Sequence, residues 1–229
     1  MPATSLPPSG DPPPQAKTCD ASGMAEIHRM FRTGFGEGPR LVRGVHDGDR
    51  THAEAVAAHL DLLSVSLHAH HDGEDSRLWS ALEQRAPACA AHVARMKAQH
   101  AEMLAWLGRL DEALPAWRAA GSAAAAEPVI AALDGVNAAL STHLADEEAN
   151  IVPVMETVIT EREVNWFAEH GRKSTPKGQT WNSLGAILSA QPDGGDAFQR
   201  THLPPPVRFL WKWVGAKKYA KTRAVLEGR

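Results

Sequence analysis

The pattern His-x-x-x-Glu occurs twice in this chain, at His70 with Glu74 and at His143 with Glu147. Residues four positions apart lie on the same face of an α-helix, about one turn from each other. Each pair therefore sets an imidazole beside a carboxylate, which is the geometry of a metal-ligand pair. The pattern constrains the fold because it requires two helices that turn these faces toward one interior.

Both pairs lie within apolar stripes of helical spacing. Two further histidines, His28 and His100, are centred in similar stripes. Four such segments with short connections predict an all-α fold, an up-down-up-down four-helix bundle with a C-terminal helical extension. The stripes are Met24, Phe31 and Phe35; Leu60, Leu63, Leu67 and Leu78; Val93, Met96, Met103, Leu107 and Leu110; and Leu133, Val136, Leu140 and Ile151.

Composition divides the chain into three parts. Residues 1–20 hold six prolines and almost no large apolar side chain, so they predict a disordered tail. Residues 21–160 form the predicted bundle. Residues 161–229 predict a helical extension that packs on the bundle, with a capping box at Thr160 and Glu163 and four of the seven tryptophans.

The sequence offers no run of eighteen apolar residues and no basic, apolar leader at its start. It therefore predicts neither a transmembrane span nor a secretory signal, and a cytoplasmic protein is expected. The two cysteines, Cys19 and Cys89, argue against a disulfide framework and against a cysteine-based zinc site.

Charge is unevenly distributed along the chain. Residues 200–229 contain eight Lys or Arg and one Glu, a net charge of +7, whereas the whole chain carries -3, so the part before residue 200 carries -10. Such a basic end can meet an anionic partner or membrane, or it can dock on the acidic body. Docking is favoured, since an intramolecular partner costs no translational freedom.

Four histidines and two carboxylates make up the predicted metal site. Imidazole nitrogens and carboxylate oxygens suit iron, manganese or zinc, and six such groups exceed the ligands of one tetrahedral zinc ion. Two carboxylates on different helices can instead bridge two metal ions. The ferritin-like type of bundle carries Glu-x-x-His, a pattern that this sequence lacks. The predicted ligands are His28, His70, Glu74, His100, His143 and Glu147.

The chain resembles the hemerythrin-like family, also called HHE cation-binding domains, from about Met24 to Val158. The resemblance rests on His28, His70-His71-Asp-Gly-Glu74-Asp75 followed by Leu78-Trp79, His100, and His143-Leu-Ala-Asp-Glu147-Glu148 with Pro153 beyond. It implies a non-haem di-iron centre of two oxo- or hydroxo-bridged iron ions. In that centre Glu74 and Glu147 are bridging ligands, and the four histidines are terminal ligands.

One departure from the family pattern concerns the third helix. Oxygen-carrying hemerythrins place two histidines four apart there, whereas the positions four before and four after His100 are Met96 and Leu104. This departure puts simple oxygen carriage in doubt and favours redox turnover or a ligand from elsewhere. His71 is interpreted as a surface residue or an indirect partner of the site, because it is rotated about 100° from His70.

Two further residues have open roles. Asp75 could pair with His71, which lies four positions before it on the same helix. Tyr219, the only tyrosine, could supply the missing ligand or pack as an ordinary core residue.

Three functions are compatible with these observations. The first is a di-iron protein that handles or senses dioxygen, nitric oxide, peroxide or iron. The second is a di-iron enzyme that decomposes hydrogen peroxide. The third is an interaction module whose basic C-terminus binds an anionic surface. Small molecules are the expected partners, nucleic acid is not expected because no recognisable binding motif accompanies the charge, and the oligomeric state stays open.

Overall fold

The computed structural model describes residues 16–229, and every regular element in that part of the chain is helical. The first elements are α1 (Ser22–Arg43), α2 (Arg50–Gly73), α3 (Trp79–Arg85), α4 (Ala90–Ala120) and α5 (Ala123–Asn150), with a π-helical turn at Glu74–Leu78 and a 3-10 turn at Pro87–Cys89. The later elements are α6 (Val152–Val158), α7 (Glu161–Ser174), α8 (Thr180–Ser189), α9 (Asp196–His202), α10 (Pro205–Leu210) and α11 (Ala216–Leu226), with a π-helical turn at Trp211–Gly215.

The four long helices pack around one core. Helix α1 contacts α2 and α5, and helix α4 contacts the same two partners, so each long helix touches two others. The predicted stripes face this core: Leu63, Leu67, Leu107 and Leu140 are at most 2% exposed. The helices form because apolar residues recur every three or four positions, and burying that face supplies most of their stability.

Short capped connections join these helices. Asp49 caps α2, since its side chain accepts a hydrogen bond from the backbone N–H of His52 at 3.0 Å. Gly121 ends α4 in the left-handed conformation, with φ of +59°. A Cβ at Gly121 would lie 3.0 Å from the backbone of Arg50, so the two connections at this end of the molecule pack closely against each other.

The stretch Ala123–Val158 is the one segment of residues 16–229 that is long and apolar enough to cross a bilayer by length and composition. Its apolar side chains Leu133 and Val136 are fully buried against other helices, and it also carries the buried pair His143 and Glu147. A helix that turns both apolar and ionisable side chains into a shared protein interior is a core helix.

The predicted tail lies mostly outside the described residues. Its last residues, from 16 to 20, lie on the helices: the Thr18 hydroxyl donates to the carbonyl of Ile159 at 2.6 Å, and Cys19 is buried. The tail prediction therefore extended too far along the chain. Its composition is dominated by the prolines before residue 15, whereas Thr18 and Cys19 have partners that only the folded chain brings together.

The C-terminal helices lie against the four long ones. Helix α7 packs on α2 and opens with the predicted capping box at Thr160 and Glu163, α8 packs on α1, and α11 packs on α2 and α8. Arg223 on α11 forms a bidentate ion pair with Glu37 on α1.

Candidate metal centre

The six predicted ligands converge in the interior of the four long helices. His28 comes from α1, His70 from α2, His100 from α4, and His143 from α5. Five of the six side chains are almost completely buried, and that of His70 is 13% exposed. Together with His71 they form two clusters, and within each cluster the ligand atoms lie within 4.8 Å of one another. Cluster A contains His71, Glu74, His100 and His143, and cluster B contains His28, His70 and Glu147.

Each carboxylate also contacts a histidine of the other cluster. Glu74 Oε1 lies 3.2 Å from His70 Nε2, and Glu74 Oε2 lies 3.3 Å from His100 Nε2. Glu147 Oε2 lies 3.3 Å from His28 Nε2 and 3.6 Å from His143 Nε2. Each glutamate therefore contacts a histidine of either cluster, which is the arrangement that a bridging carboxylate needs.

Hydrogen bonds from outside the clusters orient three of the imidazoles. Each hydrogen bond is made by the Nδ1 atom of the ring, so that Nε2 points toward the clusters, as is common around metal-ligating histidines. The pairs are His28 Nδ1 with Glu148 Oε1 (2.8 Å), His100 Nδ1 with Asp75 Oδ1 (2.8 Å) and His143 Nδ1 with Gln99 Oε1 (3.2 Å).

Asp75 forms a hydrogen bond with a different histidine from the one predicted. Its Oδ1 accepts from His100 Nδ1 and, at 2.7 Å, from the indole N–H of Trp79. The expected pairing with His71 is wrong. That prediction assumed a regular α-helix. Asp75 lies instead in the π-helical turn, which changes the direction of its side chain.

His100 and His143 face each other through their Nε2 atoms, which are 3.3 Å apart. The Nδ1 atoms of both rings donate to oxygens, of Asp75 and of Gln99 respectively. When neutral, each ring therefore carries its proton on Nδ1 and a lone pair on Nε2. Two lone pairs at this distance repel each other unless a cation lies between them.

His71 is 1% exposed, and its ring stacks on that of His100 with centroids 4.1 Å apart. Neither ring nitrogen has a hydrogen-bond partner among residues 16–229. The expectation of a surface position is therefore wrong. The sequence carried a signal, because His71 lies four residues after Leu67 and three before Glu74 and so fits the same apolar stripe as His70.

Burial lowers the pKa of three of the five histidines in the two clusters and so keeps them neutral. It lowers the pKa of His70 to about 3, that of His143 to about 4, and that of His71 well below the ordinary value of 6.5. Burial also opposes protonation of His28, but its contacts with Glu147 and Glu148 outweigh burial and raise its pKa. Neutral imidazoles are the form that can ligate a metal ion.

The two central carboxylates differ in their protonation. Burial and the neighbouring Glu147 raise the pKa of Glu74 well above its ordinary value. Burial also opposes ionisation of Glu147, but the contact with His28 outweighs it and lowers the pKa of Glu147. Without a metal ion, the pair is therefore most stable with one proton on Glu74, as expected for two buried carboxyl groups in contact.

The donor set fits cations of the imidazole and carboxylate class. Both oxygens of Glu74 and of Glu147, together with both nitrogens of His71, are buried without a hydrogen-bond partner among residues 16–229. Each such atom costs about 1 to 3 kcal/mol when nothing satisfies it. Six such atoms in the two adjoining clusters indicate a site that binds positively charged ions.

The remaining candidates lie outside the clusters. The phenol oxygen of Tyr219 lies 2.9 Å from Ser189 Oγ, and Tyr219 belongs to neither cluster, so packing describes it better than ligation. On α4, Met96 is fully buried in the core and Leu104 is 39% exposed. Neither position on α4 therefore offers a ligand, whereas α2 carries His71 beside His70.

Comparison with protein families agrees with this geometry. The model of the hemerythrin family, described as the hemerythrin HHE cation binding domain, matches residues 21–155, which is more than half of the chain. The chain belongs to this family, and the resemblance inferred from the sequence is confirmed. Comparisons with curated proteins and with solved structures gave no match.

Proposed function

We propose that this chain is a non-haem di-iron protein that handles or senses dioxygen, nitric oxide, peroxide or iron. The proposal includes an up-down-up-down bundle over residues 21–160, an extension over residues 161–229, and a cytoplasmic location. Membership of a cation-binding family and the pairwise packing of the long helices support it.

The facing Nε2 atoms of His100 and His143 carry this proposal. Metal–nitrogen bonds are about 2.0–2.1 Å long, so two nitrogens 3.3 Å apart can both bind one ion that lies between them. The same separation, 3.3 Å, joins Nε2 of His28 and Nε2 of His70 in cluster B. Two such pairs with two carboxylates between them favour two ions over one.

Each residue has a defined task in the proposed centre. Glu74 and Glu147 bridge the two ions, and His28, His70, His100 and His143 are terminal ligands. His71 adds a fifth imidazole on the side of cluster A. The hydrogen-bond partners of the Nδ1 atoms of His28, His100 and His143 keep these three rings in the tautomer that offers Nε2.

Iron, when bound, supplies one-electron redox chemistry toward small oxygen- and nitrogen-containing molecules. The protein's own part is to bind, to orient and to exclude water. The metal-free centre holds a proton on Glu74, which binding of a cation displaces. All ionisable groups of both clusters are themselves proposed ligands, so no separate acid, base or nucleophile lies among them, which favours handling or sensing over hydrolytic chemistry.

Metal analysis of the purified chain, together with its optical spectrum, tests the proposal. We expect about two iron ions per chain, absorption in the near ultraviolet typical of a bridged ferric pair, and spectral changes on adding dioxygen, nitric oxide or peroxide. A chain that stays metal-free after exposure to ferrous iron without oxygen would contradict it, as would exclusive uptake of zinc.

Decomposition of hydrogen peroxide is the second candidate function. Helix α7 lies across α2 directly beside the centre, where Phe167 and His170 come within 3.4 Å of a Cβ placed at Gly73, and such a cover can restrict access to small molecules. If the chain is such an enzyme, stopped-flow addition of peroxide to iron-loaded protein gives sustained oxygen evolution over many turnovers. A single spectral change without oxygen evolution assigns the chain to the first function.

We expect the substitution His71→Phe to lower metal affinity at least tenfold. Phenylalanine keeps the ring stacked on His100 but removes both unpartnered nitrogens. The metal-free variant should be more stable than the metal-free parent by about 2 to 6 kcal/mol, because two buried nitrogens without partners, each costing about 1 to 3 kcal/mol, are gone. Titration with ferrous iron and thermal unfolding with chelator measure the two effects.

The substitution His68→Ala is the matched control for this experiment. His68 lies on the same helix, and its side chain is 40% exposed and contacts Asp111 instead of the clusters. It should leave iron binding unchanged. Unaltered iron affinity in His71→Phe would show that His71 only packs against the site.

A further inference from the structure

The outer face of the last helices exposes a continuous group of large apolar side chains. Phe209, Leu210, Trp213 and Val214 are 63%, 47%, 54% and 39% exposed. The rings of Phe209 and Trp213 lie 6.2 Å apart, so they form one patch at the end of α10 and in the following π-helical turn. Contiguous exposed apolar groups of this kind mark interaction sites more often than isolated ones do.

The opposite face of the same segment is already packed. A Cβ at Gly215 would lie 2.5 Å from the Trp211 ring and 2.6 Å from the Trp181 ring, so these elements are in close contact. The ring of Tyr219 is similarly close to Gly185. The segment is therefore anchored through its inner face, and its exposed aromatic side chains have no place in the core.

Four exposed lysines lie in the same C-terminal segment as the apolar patch, one within the π-helical turn and three on α11. None of them forms an ion pair with any residue in the range 16–229, in contrast to Arg223, which docks on Glu37. Arg223 therefore contacts the acidic body, whereas most of the positive charge of residues 200–229 has no ion-pair partner in the described part of the chain. Together with the four apolar residues these lysines form the basic aromatic surface: Lys212, Lys217, Lys218 and Lys221.

We propose that the basic aromatic surface binds the face of a bilayer that contains anionic phospholipids. Large apolar and aromatic side chains beside lysines on one exposed helical face are the composition of an interfacial helix. The side chains of Phe209, Leu210 and Trp213 enter the boundary between headgroups and acyl chains. The lysine ammonium groups extend to the phosphates, and their methylene stems cover apolar surface.

Charge and apolar character favour a bilayer over a second copy of this chain or a nucleic acid as the partner of the basic aromatic surface. A second copy of this chain would bring two sets of unpaired lysines together across a symmetric interface, which is repulsive. Duplex nucleic acid would pair with the lysines but would leave the apolar patch in water. A membrane surface can contact both the apolar side chains and the lysines of the basic aromatic surface. The acidic remainder of the chain is repelled by the same membrane, which orients the protein.

Co-sedimentation with vesicles tests the proposal on the full chain. The probes are vesicles of phosphatidylcholine alone and of phosphatidylcholine mixed with an equal amount of phosphatidylserine. We expect binding to the mixed vesicles, weaker binding at high salt, and little binding to the neutral ones. The triple substitution K217Q/K218Q/K221Q should weaken binding about a hundredfold, since each lysine near an anionic surface contributes about fivefold.

The apolar contribution is tested separately with F209A/W213A, which should weaken binding to the mixed vesicles at least tenfold. Two variants serve as matched controls. K97Q/K173Q/K177Q removes three lysines elsewhere, and V65A/L104A shortens two apolar side chains that are 40% and 39% exposed on the bundle. Both controls should bind like the parent chain, and circular dichroism should show that all four variants are folded.

Three results would overturn the proposal. The first is no binding to mixed vesicles at low salt, or equal binding to both kinds. The second is binding to duplex DNA that K217Q/K218Q/K221Q abolishes and F209A/W213A leaves unchanged, which would assign the surface to nucleic acid. The third is a concentration-dependent dimer without lipid that F209A/W213A dissociates, which would assign it to a second copy.

Discussion

Replacing Glu147 by alanine is expected to weaken iron binding more than a hundredfold and to reduce the bound metal to less than half of the parent amount. The Oε2 atom of Glu147 lies 3.3 Å from His28 Nε2 and 3.6 Å from His143 Nε2, so its loss removes one of the two carboxylates that join the clusters. Glu74→Ala should act similarly, because its two oxygens contact His70 and His100.

Glu148→Ala is expected to weaken iron binding less than Glu147→Ala does. Glu148 holds His28 Nδ1 at 2.8 Å without belonging to either cluster, and loss of such an outer partner lowers metal affinity about 10- to 100-fold. Glu127→Ala, on the exposed side of the same helix α5, should change nothing. The measurement is iron content after dialysis against graded chelator. Equal iron content in Glu147→Ala and Glu127→Ala would contradict the bridging role.

The sequence predicted the helices and the six ligand candidates because both depend on local spacing. Positions three and four apart determine which side chains share a helix face, and Leu67, His143 and Glu147 lie on the buried faces that this rule gives. Four stripes of similar length leave few ways to bury them all. The convergence of histidines from four helices follows from that limited choice.

The parts that could not be predicted depend on departures from the regular helix or on contacts between distant residues. The π-helical turn at Glu74–Leu78 directs Asp75 toward His100, yet the glycine before it, Gly73, has ordinary helical dihedral angles and no sequence pattern identifies the turn. Gln99 was not recognised as a partner of His143, because the two residues are joined only by the packing of α4 on α5. The outward face of the C-terminal segment likewise depends on where its inner face finds a partner.

Acidification of the metal-free protein from pH 6.5 to pH 4.5 is expected to lower its free energy of unfolding steeply. Burial lowers the pKa values of His70, His71 and His143, so the unfolded chain binds protons in this range that the folded chain does not. Stability is therefore fully present above about pH 6.5 and falls as the pH falls. Each such histidine contributes on the order of 1.4 kcal/mol per pH unit.

Two neighbouring groups have raised pKa values, and one of them, Glu74, acts in the opposite direction. The pKa of Glu74 is raised, so its contribution is present below its ordinary value of 4.5 and is lost as the pH rises, which offsets about one histidine. The pKa of His28 is also raised, so its contribution is complete below pH 6.5 and does not change the slope in this range. The unfolded chain thus binds on the order of two more protons than the folded chain, and the net slope is about 2.8 kcal/mol per pH unit.

Denaturant unfolding at pH 4.5, 5.5 and 6.5 with chelator present measures this slope. His71→Phe should reduce it by about one proton, since the unfolded variant has one fewer histidine to protonate. His68→Ala should leave it unchanged, because His68 is 40% exposed and lies outside both clusters. In the iron-loaded protein the same protons compete with the metal, so iron should be released over this range. Full iron retention at pH 4.5, or a flat stability profile, would show that neutral buried histidines do not build the centre.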